Sequence, residues 1–127
     1  MSQPRSTRPV VLVVDDEEEI LALLRSLLER KGYAVRTAAE GRMALSLLEK
    51  EKVDLLLADL KMPGMNGFKL VQHVQRMFPD LPVVVMSGYG QQMAPMVAQL
   101  GVRHYIVKPI DFDSLLKLFN TLLRPAA

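Results

Sequence analysis

The stretch Leu55–Gly67, LLLADLKMPGMNG, decides how this 127-residue chain is read. It opens on an unbroken apolar run, ends that run on one carboxylate, Asp59, and continues into residues rich in methionine, proline and glycine. A short apolar run bounded by turn residues has the pattern of a strand buried on both faces. Such strands belong to parallel sheets with helices packed on either side. The surrounding chain should therefore alternate strand and helix.

It alternates five times. PVVLVVDD (9–16) reads as a buried strand closing on a carboxylate pair. EEEILALLRSLLERKG (17–32) reads as an amphipathic helix with Ile20, Leu23, Leu24, Leu27 and Leu28 facing inward. Glu17 to Glu19 suit its N-terminal dipole, Arg30 and Lys31 its C-terminus, and Gly32 a left-handed cap. YAVRTA (33–38) is a half-buried strand, and EGRMALSLLEKEK (40–52) a helix with Met43, Ala44, Leu47 and Leu48 inward. After the Asp59 strand, GFKLVQHVQRMF (67–78) turns Leu70, Val71, Val74 and Met77 inward and stops at Pro79. LPVVVMSG (81–88) and RHYIVKP (103–109) are further strands, and DFDSLLKLFNTLLRP (111–125) is a last helix.

QQMAPMVAQLG (91–101), between the last two strands, is the weakest helical segment. Pro95 donates no backbone hydrogen bond and fits only a first helical turn, so the helix is predicted over Pro95–Leu100, with Gln91 to Ala94 loose. The whole is predicted to be an α/β chain. It forms a single doubly wound, flavodoxin-like domain of five parallel strands in the order 2-1-3-4-5, with five helices. The domain spans 9–124, between a flexible N-terminal tail (1–8) and a C-terminal tail (125–127).

Composition narrows the function. Hydrophobic residues make up 50% of the chain, which argues against disorder, and there is no cysteine for a disulfide or a thiolate metal site. Arg5 and Arg8, in the polar N-terminal arm, match the whole net charge of +2. No helix carries a basic stripe, so the domain is not expected to bind nucleic acid. No apolar stretch approaches the roughly 20 residues of a membrane span, and a cytoplasmic protein without a membrane partner is expected. His73 and His104 sit in no motif and read as surface or border residues.

In open parallel sheets, ligands sit beyond the carboxyl ends of the strands. There the sequence places Asp15 and Asp16 after strand one, Asp59 after strand three, Ser87 after strand four and Lys108 after strand five. Strands one and three are neighbours in the predicted order, so three carboxylates converge and repel one another. A hard divalent cation with oxygen ligands resolves that conflict, and Mg²⁺ suits a few carboxylates plus waters and a phosphate. Asp59 then becomes a nucleophile able to form an aspartyl phosphate, with Ser87 and Lys108 placed to meet the phosphoryl oxygens. Taken singly, Asp16 with Glu19 is a capping box, and the other residues are turn formers. The set of four strand ends carries the argument.

LVVDDE, DLKMPGMNG, VVMSGYG and YIVKP together resemble the receiver domains of two-component response regulators, chemotaxis-regulator-like, over about Val10 to Leu123. The resemblance implies that Asp59 is the phosphoacceptor and that Asp15 and Asp16 form the acidic pair. Asp16 is then the more direct Mg²⁺ ligand, with the backbone carbonyl of Lys61 another. Ser87 is similar to the hydroxyl residue that swings toward the phosphoryl group, Tyr105 to the aromatic that moves with it, and Lys108 to the lysine that pairs with the phosphate. The Lys108–Pro109 bond is expected to be cis.

A sensor histidine kinase or histidine phosphotransfer protein is the implied donor. A downstream protein or output domain is the implied reader of the face made by helix four, strand five and helix five. Beyond its own phosphorylation and dephosphorylation, no enzymatic role is expected. Three settings fit: a stand-alone receiver, a phosphorelay intermediate, or a receiver within a larger response regulator or hybrid kinase. A metal-dependent aspartyl-phosphate phosphatase is the rival reading, but the D-x-D pair of that design is replaced here by Asp15-Asp16-Glu17.

Overall fold

The computed structural model describes residues 8–60, 67–88 and 93–123. Five strands form one parallel sheet in the order β2-β1-β3-β4-β5. They are β1 (Val10–Val14), β2 (Ala34–Ala38), β3 (Leu55–Asp59), β4 (Val83–Ser87) and β5 (His104–Val107). The helices between and after them are α1 (Glu18–Arg30), α2 (Gly41–Lys50), α3 (Gly67–Met77), α4 (Met93–Leu100) and α5 (Phe112–Leu123). Fold class and strand order are as the sequence predicts.

Alternation along the strands divides the core into two layers, because successive side chains leave a strand on opposite faces. Leu12, Val14, Leu56, Ala58 and Val85 pack on one side with Ala44 and Leu48 of α2, Leu70, Val71 and Val74 of α3, and Val97 and Leu100 of α4. Val11, Val13, Leu55, Leu57, Val84 and Met86 pack on the other with Leu21, Leu24 and Leu28 of α1 and Leu115 and Phe119 of α5. All five residues of β3 are buried. The central strand is thus hydrophobic on both faces because a helical layer covers each.

The helix termini follow local chemistry. Gly32 takes φ 98°, the left-handed conformation expected at the end of α1, and Gly32 N–H donates to the Glu29 carbonyl (3.2 Å). The N-cap of α1 is Glu17, whose side chain makes no capping hydrogen bond, so the Asp16–Glu19 capping box does not form. Three inward assignments are corrected. Leu23, Met43 and Met77 are exposed (55%, 49% and 47%), while Leu21 is buried in place of Leu23. Each misplaced residue sits at the border of an apolar stripe, where sequence spacing does not settle which edge tilts toward the sheet.

α4 also differs from expectation. It begins at Met93 rather than Pro95, and Pro95 occupies its third position. The proline still lies in the first turn, where a missing N–H costs no helical hydrogen bond, so two further residues fit ahead of it. Of the segment expected to be loose, Met93 and Ala94 are helical, and Gln91 and Gln92 lie outside the described residues.

Candidate functional site at the carboxyl edge of the sheet

Asp15 follows β1 directly and is fully buried, and its N–H extends the ladder by donating to the Ala38 carbonyl (3.1 Å). Its Oδ1 accepts from the Glu17 N–H (2.8 Å), which fixes the turn between β1 and α1. Asp59 closes β3 and is 4% exposed. Beyond it, Leu60 N–H donates to the Met86 carbonyl (3.0 Å), so β3 and β4 stay joined past the carboxylate. Ser87 closes β4 and is buried; its carbonyl accepts from the Lys108 N–H (2.8 Å), which ties the exit of β5 to the end of β4.

These connections bring the predicted groups together. Asp15, Asp16 and Asp59 each place a carboxylate oxygen within 4.8 Å of the others, with Asp16 exposed and the other two buried. Lys108 reaches across from β5. Its Nζ donates to Asp15 Oδ2 (2.8 Å), Glu17 Oε1 (3.1 Å) and Asp59 Oδ2 (3.3 Å). Burial of the ammonium favours the neutral amine, yet the Asp15 hydrogen bond, the Asp59 charge and the Glu17 hydrogen bond outweigh it. Together they hold the Lys108 pKa above its ordinary value of 10.5. Lys108 is therefore a fixed cation, and the Lys108–Pro109 bond is cis.

The charge count describes what else the site accommodates. Asp15, Glu17 and Asp59 share one ammonium, and Asp16 adds a further carboxylate to the cluster. Hard oxygen donors crowded this closely, with one member open to solvent, fit a small divalent cation that keeps part of its water shell. Lys61, assigned a backbone ligand, lies outside the described residues. Tyr105 is 44% exposed on β5, in register with Val85. His73 and His104 are half-buried and take no part in the acidic cluster.

Two participants were not recognised in the sequence as parts of the site. Glu17 read only as a dipole-complementing residue; that it follows two aspartates was the available signal. Gly67 opens α3, and a Cβ there would lie 1.8 Å from the Asp59 carbonyl oxygen and 2.6 Å from the Leu60 Cα. No side chain fits that space, so α3 starts against the backbone of Asp59 only because residue 67 is glycine. A glycine at a helix start, where better helix formers are available, was its signal.

Sheet order and strand-end chemistry define the class: a doubly wound α/β domain carrying an acidic, lysine-bridged centre at its carboxyl edge. The profile described as "Response regulator receiver domain" matches residues 11–120, and the chain belongs to that family. It is a receiver domain of the two-component response regulators.

Transcriptional regulatory protein GlrR of Escherichia coli (strain K12) is 36% identical over 118 residues, covering 92% of this chain and 27% of that protein. The chain thus spans about a quarter of that relative's length. Sporulation initiation phosphotransferase F of Bacillus subtilis (strain 168) is 34% identical over 106 residues, 83% of this chain and 86% of that protein. Among solved structures, response regulator protein TrrA of Thermotoga maritima, in complex with Mg²⁺-BeF, superposes with a TM-score of 0.83 at 30% identity. The match covers 91% of this chain and 99% of that one. Among the described residues, no helix is long and apolar enough to cross a membrane.

Proposed function

We propose that Asp59 accepts a phosphoryl group from a phosphohistidine of a sensor kinase or a phosphotransfer protein, and that residues 9–124 act as the switching unit. The observation that carries this is Lys108, which holds Asp15 and Asp59 at 2.8 and 3.3 Å beside the three-carboxylate cluster. An oxygen of Asp59 bonds to phosphorus as the phosphorus–nitrogen bond to the donor imidazole breaks, and the imidazole leaves with its electron pair. Asp15, Asp16, Asp59 and the Lys61 carbonyl would hold Mg²⁺. The cation, when bound, supplies positive charge to the phosphoryl oxygens. Lys108 offsets the added negative charge from the β5 side, and the Ser87 hydroxyl donates to a phosphoryl oxygen.

The Ser87 contact exists only with the phosphoryl group present, so it biases an equilibrium between two arrangements of the β4–β5 side. Tyr105 moves with Ser87 in this reading, and the α4, β5 and α5 surface passes the change to a downstream protein or output domain. The chain's only chemistry is then the gain and loss of its own phosphoryl group, in the cytoplasm. Incubation with Mg²⁺ and a small phosphodonor should add one acid-stable, base-labile phosphoryl group. Asp59→Asn should stay folded and take up none. Undiminished labelling of that variant, or labelling of the native chain without Mg²⁺, would overturn the assignment.

A further inference from the structure

Glu17 occupies the N-cap position of α1, with extended backbone (φ −91°, ψ 109°), and makes no side-chain capping bond. Residues favoured there turn their oxygen back onto their own helix. The Glu17 carboxylate instead reaches Lys108 Nζ at 3.1 Å, across 91 residues of sequence. An ammonium has three N–H donors and no more. Here Asp15, Glu17 and Asp59 supply three acceptors to it. A phosphoryl oxygen on Asp59 would arrive at a lysine whose donors are already engaged.

Exposure decides which contact yields. The Asp15 side chain is 0% exposed and makes the shortest of the three contacts, so losing Lys108 would leave its Oδ2 buried without that donor, which is costly. Asp59 carries the phosphoryl group itself. The Glu17 side chain is 60% exposed and rehydrates at little cost. We infer that Glu17 is a positioning residue that holds Lys108 in the unphosphorylated state, competes with the phosphoryl group for it, and thereby lowers the affinity of the site for that group. The inference rests on Asp59 being the phosphoacceptor and adds a determinant of how readily the domain becomes loaded.

Beryllofluoride, a phosphoryl stand-in, tests this by NMR titration of the whole chain in Mg²⁺. Native protein would be compared with Glu17→Gln, Glu17→Asp and Glu19→Gln. Glu17→Gln removes the competing charge. Glu17→Asp keeps the charge but shortens the arm and favours capping of its own helix, so it too should release Lys108. Both should tighten beryllofluoride binding by roughly two- to fivefold, the range of an exposed ion pair. Glu19→Gln, on the exposed first turn of α1, should leave binding unchanged, and every variant should keep the native fold, as its amide spectrum reports. If Glu17→Asp binds like the native chain while Glu17→Gln binds tighter, only general repulsion acts and the inference is overturned. Any other departure from the expected pattern overturns it as well. Native protein that binds no beryllofluoride would instead remove the phosphoacceptor reading, and this inference with it.

Discussion

β3 and β5 both deliver a residue to the acidic centre, and they are built in opposite ways. β3 pairs with β1 on one side and β4 on the other, and every residue from Leu55 to Asp59 is buried. Among the described residues β5 pairs only with β4, and its residues alternate between half-buried and exposed, with Tyr105 and Val107 open to solvent at 44% and 42%. Displacing Asp59 means repacking two core layers, whereas a β5 side chain changes rotamer against water. Asp59, the proposed acceptor, is held by the most constrained strand, and Tyr105, proposed to move with Ser87, lies on the least constrained one.

The contrast is broken most severely by emptying the core beneath Asp59. Leu57→Ala, fully buried in the layer with α1 and α5, should cost about 2–5 kcal/mol in urea unfolding. A loss under about 1 kcal/mol would mean that β3 is not the rigid element described. Gly67→Ala comes next, because its Cβ would meet backbone rather than a flexible side chain. A destabilisation of about 1–3 kcal/mol is expected, together with slower labelling of Asp59 as α3 is pushed off β3. A variant as stable and as reactive as the native chain would show that the close approach of α3 is dispensable.

Alkaline pH sharpens the comparison by loosening the link between the two strands. The folded pKa of Lys108 lies above its ordinary 10.5, so the folded chain binds the proton more tightly than the unfolded chain does. Its contribution to stability is therefore full below 10.5 and is lost as pH rises from there through the folded value. Burial pushes Tyr33 above its ordinary 10.0, and that acts in the same direction. The urea midpoint should fall above about pH 10, and Lys108→Met should flatten part of that fall. An unchanged slope in the variant would count against Lys108 as the bridge.

The smallest effect belongs to β5. Tyr105→Ala removes an exposed ring and should change stability by no more than about 0.5 kcal/mol, yet reduce the chemical-shift response of α4 and α5 to beryllofluoride. A full response in that variant would detach Tyr105 from the switch.

Much of this was legible in the amino-acid order. The apolar run into Asp59 marked a strand covered on both faces, and five strand–helix alternations led to the sheet order found. Asp15, Asp16, Asp59 and Lys108 fell at strand ends that this order makes neighbours, so their meeting followed from topology. Patterning has that reach because burial repeats with the period of each element.

The tertiary structure alone decided the rest. It left Leu23, Met43 and Met77 outside the core and seated Pro95 at the third position of α4 rather than the first. It also excluded any side chain at residue 67 and turned the Glu17 carboxylate away from its own helix to Lys108. Each of these depends on a contact between elements distant in sequence: how far a helix rolls against the sheet, how closely α3 meets the backbone of β3, which cation stands across from a loop. Local periodicity carries no record of such distances, because they are set only when the two layers close on the sheet.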